Sequence, residues 1–132
     1  MQRPSSISKS RKVLIVDDDP IVAKTLSRVF EKLEGYQVTS AMDGREALQE
    51  IARNSFDLII LDLQLPGVAG EEICKQIKRS ERTENIPIIV ISGKCREVDR
   101  IIGRVIGADY YMPKPFDITE LLKAANDILE KK

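Results

Sequence analysis

Short apolar runs alternate with amphipathic segments along the whole chain. The apolar runs are rich in β-branched residues, and between them apolar positions recur every three or four residues, as in helices. The runs predicted to be strands are residues 12–16, 36–40, 57–61, 87–91 and 109–112. The middle runs contain "LIIL" and "IPIIVI", which are apolar throughout. Continuous apolar runs are typical of parallel strands that are covered on both faces.

The first two helices are predicted from their start and stop signals. Asp19 followed by Pro20 indicates an N-cap and a first helical residue, and Gly35 indicates the end of that helix. Asp43 and Glu46 have the spacing of a capping box, which predicts the start of the second helix. The first helix is expected to place these residues inward: Val22, Leu26, Val29, Phe30 and Leu33.

Three further helices follow from the same apolar rhythm. They are predicted over residues 70–79, over residues 96–106 with a stop at Gly107, and after an N-cap at Asp117. The residues expected to face inward are Ile73 and Ile77 in the third helix, Val98, Ile101, Ile102, Val105 and Ile106 in the fourth, and Leu121, Leu122, Ala125, Ile128 and Leu129 in the fifth.

The alternation predicts one α/β domain in which a strand and a helix are repeated five times. Right-handed crossovers lay helices on both faces of a parallel sheet, and ligands of such sheets bind beyond the carboxyl ends of the strands. The domain is expected over residues 12–132. Residues 1–11 are polar and basic, with no apolar segment behind them, and are predicted to be a flexible tail and not a secretory signal.

Composition excludes several classes of chemistry. The 132 residues include 21 basic and 21 acidic side chains, so no overall charge attracts the chain to nucleic acid or to an acidic membrane. Histidine is absent, which excludes Ser-His-Asp triads and His-ligated zinc. Cys74 and Cys95 lack metal-ligand spacing and are expected to be reduced thiols of a cytoplasmic protein. No apolar stretch is long enough to span a membrane.

Candidate chemistry lies immediately after the predicted strands. Asp17 and Asp18 follow the first strand, Asp62 the third, Ser92 the fourth and Lys114 the fifth. Parallel strands bring these residues to one edge of the sheet. Two carboxylates about 4 Å apart repel by roughly 4 kcal/mol at an effective dielectric near 20, so a cluster of acids needs raised pKa values or a bound cation.

The residue types at this edge favour Mg²⁺ and a phosphoryl group. Ligands that are oxygen atoms alone suit Mg²⁺ better than a transition metal. Lys114 and Ser92 can bind phosphate oxygens, and Asp62, which has no acidic neighbour in sequence, is the best candidate for a carboxylate nucleophile. Asp19, the third acid of the "DDD" run, is interpreted as a helix cap only.

Four motifs, "LIVDDDP", "LIILDLQLPG", "VISGK" and "YMPKPF", occur in that order. Together they resemble the receiver domain of bacterial two-component response regulators, over residues 12–132. The resemblance implies a flavodoxin-like fold with a five-stranded parallel sheet in the order 2-1-3-4-5. It also implies a signalling domain that is no enzyme, apart from assisting its own phosphorylation and dephosphorylation.

The same resemblance implies roles for the acids. Asp62 is expected to accept a phosphoryl group from a phosphohistidine on a sensor histidine kinase or a phosphotransfer protein. Mg²⁺ is expected to be held by Asp18 directly, by Asp17 through water, by Asp62 and by the backbone carbonyl of Gln64.

Further roles implied by the resemblance concern the neighbouring positions. Ser92 and Tyr111 are expected to act as the switch pair, and Lys114 to pair with the phosphoryl group. Gln64 and Lys94 are expected to tune the lifetime of the phosphoryl group. The Lys114–Pro115 peptide bond is expected to be cis. The surface of the fourth helix, fifth strand and fifth helix is expected to meet partners or a second copy of the chain, without contacting nucleic acid or membrane.

Two alternatives remain open from the sequence. One is a degenerate receiver that serves as a constitutive interaction module. The other is an aspartate-nucleophile phosphohydrolase of the haloacid dehalogenase type, in which the nucleophile follows the first strand; here the isolated acid follows the third strand.

Overall fold

The structure is a computed structural model that describes residues 10–33, 35–93 and 107–130. Within these residues it has five strands and four helices. The strands are β1 (Arg11–Val16), β2 (Tyr36–Ala41), β3 (Leu58–Asp62), β4 (Ile88–Ser92) and β5 (Tyr110–Pro113), and the helices are α1 (Pro20–Lys32), α2 (Gly44–Arg53), α3 (Gly70–Arg79) and α4 (Ile118–Glu130). The helix predicted over residues 96–106 lies outside the described residues, so α4 is the fifth helix of the sequence prediction.

The strands form one parallel sheet in the order β2-β1-β3-β4-β5, which confirms the predicted flavodoxin-like topology. Each strand ends one residue later than predicted, except β1, which begins one residue earlier, at Arg11. The prediction ended β3 and β4 at the last residue of their apolar runs. In the structure these strands continue, because the main chain of a polar residue such as Asp62 or Ser92 still pairs with the neighbouring strand. This shift places both polar residues within the sheet.

The two faces of the sheet carry separate apolar cores. Successive strand residues point to opposite faces, so Val13 of β1 faces one side and Leu14 the other. The first side packs on α1 and α4 through Leu26, Phe30, Leu121, Ala125 and Leu129. The second side packs on α2 and α3 through Ala47, Ile51, Ile73, Cys74 and Ile77. Helices therefore cover both faces, which is why β3 and β4 are buried throughout.

The predicted helix caps are present. The carboxylates of Asp19 and Asp117 each accept the N–H of the residue two positions on, at 2.9 and 2.8 Å. Asp43 accepts the N–H of Glu46 at 2.8 Å. The Glu46 carboxylate reaches back to the N–H of Met42, one residue before the cap. These local bonds satisfy N–H groups that a helix start leaves unpaired.

One predicted inward position is wrong. Leu33 is exposed because α1 ends at Lys32 and Leu33 is extended, whereas Gly35 adopts a positive φ of 90° beyond it. In α4, Leu122 and Ile128 are half-buried and pack against the core as predicted, and Ala124 is buried as well.

Two further properties of the described helices concern membrane spans and cysteine reactivity. None of the described helices is long and apolar enough to cross a membrane. Cys74 is a free, buried thiol, and burial raises its pKa to about 12. A thiol with this pKa stays protonated at neutral pH and is unreactive. Cys95 lies outside the described residues.

Candidate functional site

The central strands bring three acids together. β1 and β3 are neighbours, and Val16 pairs with Leu61, so the next residues of both strands lie side by side. One carboxylate oxygen from each of Asp17, Asp18 and Asp62 lies within 4.8 Å of the other two. Asp17 is fully buried and Asp62 is 3% exposed, whereas Asp18 is exposed. The cluster therefore has a buried floor and one acid that faces solvent.

Lys114 lies against the buried floor of this cluster. Its Nζ is 2.9 Å from Oδ2 of Asp17 and 3.0 Å from Oδ2 of Asp62. The lysine is held there because its own N–H donates to the carbonyl of Ser92, at 2.7 Å, at the end of β4. Among the described residues, one ammonium offsets only one of the three carboxylate charges, so this part of the cluster keeps an excess of negative charge.

Backbone N–H groups aim the two buried carboxylates. Oδ1 of Asp17 accepts the N–H of Asp19 at 2.8 Å, and Oδ1 of Asp62 accepts the N–H of Gln64 at 2.9 Å. In both cases the carboxylate closes a local turn by accepting the N–H of the residue two positions further along the chain. Each second oxygen is left to Lys114, and the contact at Asp17 Oδ2 lacks the alignment of a hydrogen bond. The second oxygens of both acids therefore meet at the same ammonium group.

Burial and charge shift the pKa values of the two central groups. Burial raises the pKa of Asp62, the Gln64 N–H and Lys114 lower it, and the charge of Asp17 raises it again, with a net increase. For Lys114, burial lowers the pKa, but its close contacts and charge interactions with the carboxylates of Asp17 and Asp62 outweigh burial and raise it. The lysine is therefore held charged, and ionised Asp62 is costly without further positive charge.

The donor set fits a hard divalent cation. The acids contribute oxygen alone, and Oδ2 of Asp17 is buried without a hydrogen-bond partner among the described residues. Mg²⁺ prefers such oxygen ligands and retains waters, which the solvent side of the cluster admits. Asp17, Asp18 and Asp62 are the residues that would hold it. A metal contact by the Gln64 carbonyl stays a prediction.

The other predicted site residues lie at or near the same edge. Ser92 ends β4 and is buried, directly after Ile91, which pairs with Asp62. Tyr111 is half-buried in β5 and packs against the core under α2 and α3. The Lys114–Pro115 bond is cis, as predicted. Lys94 lies outside the described residues. The switch roles of Ser92 and Tyr111 stay predictions.

A contact across the mouth of the site was missed from the sequence. Oε1 of Gln64 accepts the N–H of Gly93 at 3.1 Å, so Gln64 joins the loop after β3 to the residue after Ser92. A Cβ at position 93 would lie 3.0 Å from that Oε1. The available signal was glycine at 93 in "VISGK", which leaves room for this side chain.

Comparison with known proteins gives one consistent family. The sequence-family model of the response regulator receiver domain matches residues 13–126 of this chain. The response regulator ArlR of Staphylococcus saprophyticus is 41% identical over 120 residues, which cover 91% of this chain and 53% of ArlR. The sensory transduction protein RegX3 of Mycolicibacterium smegmatis is 35% identical over 119 residues, covering 90% of this chain and 50% of RegX3. The chain thus spans about half the length of these curated relatives.

A solved structure agrees over nearly the whole fold. The receiver domain of a Francisella response regulator superposes with a TM-score of 0.84 at 34% sequence identity. The match covers 92% of this chain and 98% of that one. Fold and sequence therefore lead to the same group of signalling domains.

Proposed function

Because the chain belongs to the response regulator receiver domain family of two-component systems, we propose that it is a phosphoryl-accepting switch whose acceptor is Asp62. One observation carries the choice of acceptor. Both oxygens of Asp62 accept hydrogen bonds, one from the Gln64 N–H and one from Lys114, whereas Oδ2 of Asp17 accepts none within the described part of the chain, and two further acids that could hold Mg²⁺ lie beside Asp62. A carboxylate so placed can act as a nucleophile toward phosphorus.

The proposed step is a direct transfer to a carboxylate oxygen. An oxygen of Asp62 forms a bond to phosphorus while the bond from phosphorus to the donor's imidazole nitrogen breaks, and the electron pair remains on that nitrogen. The donor is a phosphohistidine of a sensor histidine kinase or a phosphotransfer protein, since this chain has no histidine. Bound Mg²⁺ would supply positive charge between the acids and the phosphoryl oxygens.

Lys114 and Ser92 would receive the transferred group. Lys114 already lies 3.0 Å from Asp62, so its ammonium can move from the carboxylates to a phosphoryl oxygen with little displacement. Ser92 is at the same edge of the sheet and offers a hydroxyl donor. The negative charge of the phosphoryl group would thus draw on Lys114 and Ser92, which join the ends of β5 and β4 in the unphosphorylated site.

A partner would detect phosphorylation through the side of the domain that contains β5. Lys114 directly follows β5, and its N–H bonds to Ser92, so a change at the phosphoryl group is felt by both strands. We expect Tyr111 to respond with Ser92 and the surface formed by the predicted fourth helix, β5 and α4 to change its preference for a partner or a second copy. Gln64 and Lys94 would tune the phosphoryl lifetime in the cytoplasm.

Phosphoryl uptake by variants tests the proposal. The chain is incubated with Mg²⁺ and labelled acetyl phosphate, and the bound label is measured together with its lability to base. Wild type is expected to form an acyl phosphate, and Asp62→Asn to form none. Asp19→Asn is the matched control, because Asp19 caps α1 and asparagine caps equally well. It should take up label as wild type does.

Other results would redirect the proposal. Base-labile label in Asp62→Asn would show that another residue is the acceptor. Wild type that neither takes up label nor responds to beryllofluoride with Mg²⁺ would favour a constitutive interaction module. Sustained hydrolysis of small phosphoesters would favour a phosphohydrolase.

A further inference from the structure

The loop that follows Asp62 closes tightly on itself. Residues 63–69 join β3 to α3, and the N–H of Gly70, the first residue of α3, lies 3.4 Å from the carbonyl oxygen of Leu63. A Cβ on Gly70 would lie 2.6 Å from Cα of Leu63 and 3.0 Å from the carbonyl oxygen of Asp62. Both neighbours are backbone atoms, so a methyl group here would have to displace the main chain at Asp62 and Leu63 or the first turn of α3.

The start of α2 presses on the other end of this loop. A Cβ on Gly44 would lie 2.7 Å from both Cβ and the carbonyl oxygen of Val68. Gly44 cannot easily retreat, because the cap at Asp43 fixes the first turn of α2. Just before it, the carbonyl of Ala41 accepts the N–H of Asp17 at 3.1 Å. The loop is thus held against α2, which begins three residues after the end of β2, the strand that is bonded to the first acid of the site.

Neither glycine is required by its own backbone conformation. Among the described glycines, those with positive φ are at positions 35, 67 and 107, and they do not include Gly44 or Gly70. In a helix, alanine is normally more favourable than glycine because glycine loses more conformational freedom on folding. Two helix starts therefore carry the less favourable residue, and in both the missing Cβ leaves space for the same loop.

We propose that Gly44 and Gly70 are positioning residues, which clamp the 63–69 loop between α2 and α3 and so fix Asp62 and Gln64 relative to Asp17 and Asp18. This inference rests on the proposed function, since the geometry it protects is that of the Mg²⁺ and phosphoryl site. Neither glycine contacts the reacting atoms. Residues that orient metal ligands typically change metal affinity by about 10–100-fold when altered.

The test compares Gly44→Ala and Gly70→Ala with wild type. Mg²⁺ affinity is measured from amide shifts in nitrogen–proton NMR spectra of the folded chain, and the Gln64 amide, which donates to Asp62, is followed by hydrogen exchange without metal. Both variants are expected to bind Mg²⁺ at least about tenfold more weakly and to exchange the Gln64 amide faster. Ile77→Val, a core change at the far end of α3, should alter neither.

A second substitution separates the clamp from a general loss of stability. Val68→Gly removes one of the two Val68 atoms that an alanine at 44 would strike, its Cβ, and lets the carbonyl move more freely, so adding it to Gly44→Ala should restore part of the lost Mg²⁺ affinity. If Gly70→Ala does not fold, this pair decides the matter.

The outcomes distinguish this inference from the function on which it rests. Alanine variants with wild-type Mg²⁺ affinity and Gln64 exchange would overturn the clamp while leaving the function intact. A wild type that binds no Mg²⁺ would count against the proposed function, and the clamp would still be judged by the metal-free exchange of the Gln64 amide.

Discussion

Aspartate has opposite roles where the strands begin, at the amino edge of the sheet, and where they end, at the carboxyl edge. At the amino edge, Asp57 accepts the N–H of Lys12 at 2.8 Å and donates its own N–H to the Lys12 carbonyl at 2.7 Å. Asp109 makes the same pair of bonds with Ile88, both at 2.8 Å. Each of these acids has a backbone partner and joins the start of one strand to the start of its neighbour.

At the carboxyl edge the acids outnumber their partners. Asp17 and Asp62 are buried, lie within 4.8 Å of Asp18, and share one lysine, Lys114, among the residues that the structure describes. Like charges held this close oppose folding. The comparison teaches that an acid at a strand end is not in itself a functional signal. What distinguishes the site is the excess of charge over local partners, which leaves affinity for a cation.

The largest effect is expected from removing Lys114. In Mg²⁺-free solution, Lys114→Met should lower the free energy of unfolding by about 2–3 kcal/mol, because two buried carboxylates lose their positive partner. Urea unfolding measures the change. Lys12→Met at the amino edge is the control, since the side chain of Lys12 is exposed and only its backbone bonds to Asp57. Equal stability of the two variants would contradict the charge imbalance.

A smaller effect of opposite sign is expected at Asp62. Burial raises its pKa, so above the unfolded pKa of about 4 the folded state loses stability as the carboxyl ionises. Without Mg²⁺, Asp62→Asn should therefore be more stable than wild type at pH 7, by about 1 kcal/mol, and this gain should shrink below about pH 4. Urea unfolding at both pH values tests this. A gain that persists in acid would show that ionisation is not its cause.

The smallest effect is expected at the amino edge. Asp57→Ala removes one hydrogen bond to the Lys12 N–H and should cost about 0.5–1 kcal/mol in the free energy of unfolding. Phosphoryl uptake should be unchanged, because this end of the sheet is remote from the acceptor. Both are measured on the same preparation, with Asp109→Ala as a second case. Loss of phosphoryl uptake in a well-folded Asp57→Ala protein would show that the two edges do not have separate roles.

The sequence predicted the fold well where local chemistry decides structure. Caps at Asp19, Asp43 and Asp117 depend on residues two or three positions away, and all three were read correctly. The strand order and the meeting of Asp17, Asp18, Asp62 and Lys114 followed from the resemblance and the parallel topology.

Contacts between distant residues could not be predicted in this way. The Gln64–Gly93 bond and the contact of Gly44 with Val68 join residues more than twenty positions apart. The sequence also assigned Lys114 to a phosphoryl group, whereas the structure shows it first paired with Asp17 and Asp62. No local pattern encodes such a choice of partner.

Hydrophobic period, caps and strand ends are properties of neighbouring residues, so the described elements, their order along the chain and the residue types at the carboxyl edge could be predicted from the chain. Which acids are buried, which one faces solvent, and how far Lys114 can neutralise them became known only from the folded domain. Those properties depend on distance and on exclusion of water, and both arise only when β1, β3 and β5 lie in one sheet.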